Sequence, residues 1–183
     1  MDRVLLIIDD IQYAGHLENT LRKVGFDIET ITNEFHMPEK LLSFNPDYII
    51  VKGMGIRVST EAVGKKLKES TKFLGKVILV FPQDRKTSNP EELIKLRMDV
   101  LLFEPISALR LANSLLSLTQ LDKDTIFDRL MRLALTDPQF RAAESELLQG
   151  SGSTIESEIK LVTGRVQQGG AVEGDSSLKE DDI

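Results

Sequence analysis

The sequence predicts an α/β fold, a doubly wound five-stranded parallel sheet in three α/β/α layers, and three observations carry that prediction. Runs such as Val4-Leu5-Leu6-Ile7-Ile8 are continuously apolar and short, which suits central parallel strands buried on both faces. Segments with apolar residues at helical spacing separate those runs. The alternation of strand and helix repeats five times before residue 119, and right-handed crossovers then put helices on both sides of one sheet.

Each element has its own signal. Val4–Ile8 ends in Asp9-Asp10. Between Tyr13 and Val24, Ala14, Leu17, Leu21 and Val24 recur at helical spacing, and Gly25 is the stop. Phe26 to Ile31 alternates apolar and polar residues, as a strand with one less buried face does. Pro38 to Phe44 reads as a short helix, with Pro38 where a missing N–H costs nothing. Asn45-Pro46 leads into a third strand, Asp47 to Val51, followed by a Gly53-Met54-Gly55 loop. Residues 58–73 predict a Lys-rich helix with Val63, Leu67 and Phe73 inward; Lys65, Lys66, Lys68 and Lys72 form its solvated face. Lys76 to Phe81 is the fourth strand. Asn89 caps a helix opened by Pro90, with Glu91 and Glu92 at the positive end of its dipole. Asp99 to Phe103 is the fifth strand, and Ser107 caps a helix that runs to about Leu118.

Composition excludes several chemistries. The 183 residues include no Cys, which removes disulfides, thiolate metal sites and Cys nucleophiles. Two histidines, His16 and His36, are too few for a His-rich metal centre, and no cofactor or metal is expected. No apolar run approaches the roughly 20 residues of a membrane span. The Met-Asp-Arg start enters a strand at once, unlike a signal peptide, so a cytoplasmic protein is expected. Residues 1–136 carry 19 acidic and 19 basic side chains, so the net charge of −6 comes entirely from residues 137–183. That distribution offers no basic stripe for nucleic acid. The Gly53-Met54-Gly55 loop lacks the rest of a dinucleotide fingerprint and follows the third strand rather than the first. His16 has no evident catalytic partner, and no enzyme activity is expected.

In open parallel sheets function sits at the carboxyl ends of the strands. Those ends are Asp9-Asp10, Lys52, Phe81-Pro82 and Glu104-Pro105. With the Val-Leu-Leu-Ile-Ile-Asp-Asp start, Asn45-Pro46-Asp47-Tyr48-Ile49-Ile50-Val51, the apolar fourth strand and the X-Pro dipeptide after the fifth, residues 1 to about 119 resemble a receiver domain of the bacterial response-regulator (CheY-like) type. The resemblance implies a flavodoxin-like sheet, a phosphoaccepting Asp ending strand three, a Ser or Thr ending strand four, and a Lys before the proline. This sequence has Lys52, Phe81 and Glu104 at those positions and keeps only the acidic pair Asp9 and Asp10. An ammonium cannot accept a phosphoryl group, Phe81 cannot hydrogen-bond to one, and Glu104 would repel it. The resemblance therefore implies a pseudo-receiver, with the signs of the strand-three and strand-five residues exchanged. Lys52 is expected to pair with Glu104 and with Asp9 and Asp10, in place of both a divalent cation and the family's lysine. Those three acids could otherwise hold a hard cation, for whose space Lys52 competes. Phe81 is expected to hold its loop in one arrangement or to fill core, and Leu101 stands near the family's strand-five aromatic position.

The chain divides into a receiver-like domain at 1–120, a helical extension at 121–149 and a disordered, acidic, Gly-rich tail at 150–183. The helix at 107–118 has two apolar stripes, Leu109, Ala112 and Leu116, and Leu111, Leu115 and Leu118. One stripe covers the sheet and the second needs a cover. Residues 122–135, with Ile126, Phe127, Leu130, Met131 and Ala134, and a further helix after Asp137-Pro138 are candidates for it. Either the extension packs on that stripe, or Leu111, Leu115, Leu118, Phe127 and Met131 bind a protein partner or a second copy. Residues 154–163 read as passive tail rather than as a segment that folds on binding. The sequence thus points to a phosphorylation-independent, protein-binding signalling module. The alternative is a dimerisation or localisation platform whose extension carries partner binding.

Overall fold

A computed structural model of the chain describes residues 1–82 and 90–171. Five strands form one all-parallel sheet in the order β2-β1-β3-β4-β5: β1 Arg3–Ile8, β2 Asp27–Ile31, β3 Tyr48–Lys52, β4 Lys76–Phe81 and β5 Val100–Phe103. Helices α1 (Ile11–Val24) and α5 (Ala108–Leu118) cover one face; α2 (Met37–Ser43), α3 (Thr60–Glu69) and the single turn α4 (Pro90–Leu93) follow the strands of the other. Ser107 is a cap read from the sequence, and Asp10 and Ser59 join it. Asp10, Ser59 and Ser107 accept the N–H of Tyr13, Ala62 and Arg110 at the starts of α1, α3 and α5, and Gly25 closes α1 at φ +117°.

The sheet divides the core in two by simple alternation. Val4, Leu6 and Ile8, Tyr48 and Ile50, and Ile78 and Val80 point to α1 and α5. Leu5 and Ile7, Ile49 and Val51, and Val77, Leu79 and Phe81 point to α2 and α3. Lys52 continues the first series, whereas Phe81 belongs to the second, so these two strand ends address opposite layers. The predicted helix over 58–73 is shorter, Thr60–Glu69. Phe73 is buried beyond its end, where Arg97 donates to the Phe73 carbonyl at 3.3 Å and stacks on its ring at 5.6 Å. The predicted Asn89 cap lies outside the described residues.

After α5 come α6 (Lys123–Thr136), α7 (Pro138–Leu148) and α8 (Ile155–Ala171). Helices α6 and α8 pack on α5, and α6 and α7 pack on α1. Leu111 and Leu115 are fully buried, and Leu118, Phe127 and Met131 pack against the same core. This corrects the reading of Leu111 and Leu115 as partner-binding residues and follows the other alternative, in which the chain's own extension covers the second stripe, as burial of apolar area favours; Leu118, Phe127 and Met131 are only partly buried. The reading of residues 150–183 as a disordered tail is corrected for 155–171, and so is the passive reading of 154–163. A reciprocal cap starts α8: Ser157 N–H donates to Thr154 Oγ1 (3.1 Å) and Thr154 N–H to Ser157 Oγ (2.9 Å). Ile155, Glu158 and Val162 then form a buried stripe. Averaged composition hid that stripe, because its central member is an acid that is buried with a partner. Residues 172–183 lie outside the described residues.

Candidate functional site

The carboxyl ends of β1, β3 and β5 meet in a hollow lined by Asp10, Tyr13, Lys52, Pro82, Glu104, Pro105, Ile106 and Leu147. Lys52 rises from the end of β3 on the α1 and α5 side, and its side chain is 8% exposed. Its Nζ forms an ion pair with Glu104 Oε1 and lies 4.2 Å from the centroid of the Tyr13 ring. A buried ammonium needs such partners, since burial in apolar surroundings without them is prohibitive. Glu104, its side chain 23% exposed, follows β5 directly, and its own N–H donates to the Phe81 carbonyl at 2.8 Å. Tyr13 donates from its hydroxyl to the Ile106 carbonyl at 2.9 Å. Burial holds the Tyr13 phenol well above its ordinary range, and the negative charges of Glu144 and Glu104 push it further.

The acidic pair does not join Lys52 as expected. Asp9 turns the other way, in step with Ile7, toward the loop after β3. Its carboxylate accepts the Met54 N–H (3.0 Å to both oxygens) and the Val58 N–H (3.3 Å). Asp10 Oδ1 caps α1. The period of two along β1 separates two carboxylates that adjacency in sequence had put together. The loop that engages Asp9 is tightly built. A Cβ on Gly53 would run into the Val58 carbonyl oxygen, and Gly53 N–H donates to Thr60 Oγ1 (3.1 Å), whose hydroxyl donates to the Val80 carbonyl (2.9 Å).

The residues present do not suit a divalent cation. Both Asp9 oxygens are taken by backbone N–H groups, Asp10 is a helix cap, and Glu104 faces an ammonium. Among the described residues no three His, Cys, Asp or Glu side chains are grouped to hold a metal ion. Phe81 is 3% exposed on the α3 side, with the Phe103 ring 6.3 Å away, and Leu101 packs against the same core. Pro105 follows Glu104 through a cis peptide and lines the hollow.

His16, which has no evident partner in the sequence, finds one in the fold. His16 Nε2 is 3.3 Å from Glu144 Oε2, and the Phe140 ring stacks 5.0 Å from the imidazole. Glu144 is fully buried and its Oε1 accepts the Ala108 N–H at 3.0 Å. Its sequence signal is slight: an acid in the apolar stripe of a helix, at Glu144 between Phe140 and Leu147. Several large apolar side chains stay exposed, among them Ile11 at the start of α1, Phe35 in the turn after β2, and Met54 and Ile56 in the loop after β3. No described helix is long and apolar enough to cross a membrane.

No model of a known protein family matches the chain, and no curated protein matches it. Solved structures do. The chemotaxis protein CheY4 of Vibrio cholerae superposes with a TM-score of 0.56 at 18% identity, over 65% of this chain and 99% of that one. A two-component response regulator from Clostridium difficile gives 0.56 at 17% identity, over 64% and 95%. The signal receiver domain of a response regulator from Bermanella marisrubri gives 0.51 at 20% identity, over 63% and 96%. The chain therefore has the fold of response-regulator receiver domains, with a helical extension that adds α6, α7 and α8.

Proposed function

We propose that this chain is a pseudo-receiver: a signalling module that acts by binding other proteins and whose conformation is set without phosphorylation. The observation that carries the reading is the ion pair between Lys52 and Glu104 at the meeting point of β3 and β5. In receiver domains the corresponding positions hold a phosphoaccepting Asp and a Lys. Here the cation comes from β3 and the anion from β5. The pair neutralises itself, so the pocket needs neither a metal nor a phosphoryl group to balance its charge. With Asp9 bonded to the Met54 and Val58 N–H groups, the rest of the acidic set is committed to structure.

The module is not an enzyme on this reading. His16 and Glu144 are adjacent, but both are buried between α1 and α7 and make no nucleophile–base pair. The receiver fold supports a signalling role, and on this reading the partner is a protein and the setting the cytoplasm.

The test is direct. Full-length protein is titrated with Mg²⁺, then with Mg²⁺ and beryllofluoride, while backbone amide resonances of residues 9–10, 52–58 and 104–108 are followed. No change beyond bulk ionic effects is expected. Saturable shifts at those residues with the phosphoryl mimic would overturn the reading. A parallel capture from source-cell lysate is expected to retain its partner equally with and without the mimic.

A further inference from the structure

The segment joining β5 to α5 is held from three directions at alternate residues. At Glu104 the hold is Lys52 of β3; at Ile106 it is the Tyr13 hydroxyl of α1; at Ala108 it is the Glu144 carboxylate of α7. A second link comes from α8. Glu158, 1% exposed, lies 2.8 Å from Arg110 Nε as an ion pair, and the same guanidinium donates through Nη2 to the Pro105 carbonyl at 3.3 Å. Leu147 of α7 lines the hollow in which Lys52 sits.

The choice of residues is informative. A helical hairpin added to cover the apolar stripe of α5 needs only apolar side chains. Instead it places two acids, Glu144 and Glu158, at almost zero exposure and aims them at the first turn of α5. Burying a carboxylate costs more than packing a hydrophobe of the same size, and what it adds is geometric specificity. Glu144 also carries negative charge to the N-terminal end of α5, where the helix dipole favours it. These contacts fix α5 and the Glu104–Ala108 segment relative to α7 and α8, which general hydrophobic contact does not do.

We propose that the extension is a clamp on the β5–α5 segment, so that the docking of α7 and α8 and the Lys52–Glu104 pair stabilise each other. A partner that displaces the extension would then loosen the pocket, and a ligand that breaks the pair would loosen the extension. Linkage makes the two effects reciprocal. The clamp does not depend on whether the pocket responds to phosphate, so the beryllofluoride titration and the test below can fail separately.

Amide hydrogen exchange on the full chain decides it, with wild type, Glu144→Gln and Lys52→Met compared. Rates are read relative to the core amides of β1, which cancels any change in global stability. Glu144→Gln is expected to speed exchange at residues 106–111 at least about tenfold, with faster exchange at Glu104 as well. Lys52→Met, which leaves the extension untouched, is expected to speed exchange across residues 140–148 at least about threefold. If Glu144→Gln does not fold, the Lys52→Met arm stands alone. Exchange in α7 that stays within twofold of wild type in Lys52→Met overturns the clamp. So does a Glu144→Gln effect confined to α7.

Discussion

Replacing Glu104 by Gln withdraws the counter-charge from Lys52 and leaves the ammonium in place with its side chain 8% exposed. Removing one member of a fully buried pair costs about 3–5 kcal/mol, and an exposed pair is worth about 0–1 kcal/mol. The pair at Lys52 lies between those limits, because Glu104 is 23% exposed and water reaches its side of the contact. Two contacts survive the substitution: the Tyr13 ring under Lys52, and an amide oxygen in place of a carboxylate oxygen. A loss of about 2 kcal/mol follows. For a chain of this size that is a drop of about 4–8 °C in Tm. Lys52→Met is the informative partner. It puts an apolar side chain of similar length among Ile8, Tyr13 and Ile50, and it leaves Glu104 free to turn toward solvent. Its cost is expected at about 1 kcal/mol or less, and the double variant is expected to resemble Lys52→Met rather than the sum of the two. Urea unfolding followed by circular dichroism measures all three. If Lys52→Met destabilises the protein as much as Glu104→Gln, the buried ammonium is not the group that needs its partner.

Three further outcomes are expected. Burial raises both tyrosines of the chain, with nearby acids adding to the effect: Glu144 and Glu104 at Tyr13, Asp2 at Tyr48. The fold therefore keeps their protons above the ordinary value of about 10, and this contribution to stability is intact below that pH and lost as pH rises through the folded values. An alkaline titration is expected to show tyrosinate absorbance emerging together with unfolding; ionisation at about 10 in a still-folded chain would contradict the Tyr13 environment. Gly53→Ala drives a Cβ into the Val58 carbonyl and is expected to cost about 2 kcal/mol or more by thermal unfolding, whereas Gly15→Ala, with open space at its Cβ, is expected to be close to neutral or stabilising. A chain ending at residue 120 uncovers Leu111, Leu115 and the outer side of α1, so light scattering is expected to show more self-association than the full chain shows; a stable chain no more associated than the full one would mean that the extension is not needed to cover that face.

Much of the fold is legible in local pattern. The runs Val4–Ile8, Ile49–Val51 and Val77–Val80 announce buried parallel strands because both faces of each are covered. The helix start at Ser107 is legible too, since a cap needs only residues a turn apart, whereas the caps at Asp10 and Ser59 emerged with the structure. The opposite charges of Lys52 and Glu104 are visible too, once they are seen to stand at the ends of strands three and five. Their contact required the sheet order, which sets β1 and β4 on either side of β3 and brings the β5 end round to Lys52.

Other features belong to the tertiary structure alone. Asp9 and Asp10 are neighbours in sequence, and strand alternation sends one to the β3–α3 loop and the other to cap α1. His16 and Glu144 meet across 128 positions, and Arg110 meets Glu158 across two helices of the extension. Composition marks residues 150–183 as too acidic and glycine-rich to order, yet α8 forms at 155–171, where its buried Glu158 pairs with Arg110, a partner that composition cannot see. The sequence by itself determined the five βα units, the Ser107 cap and the identity of the residues at the strand ends, Lys52 and Glu104 among them. These depend on spacing within one element or on the identity of one residue. Which acids pair with which bases, and whether the second stripe of α5 faces solvent or its own chain, depends on side chains brought together from distant elements, and only the packed structure decides that.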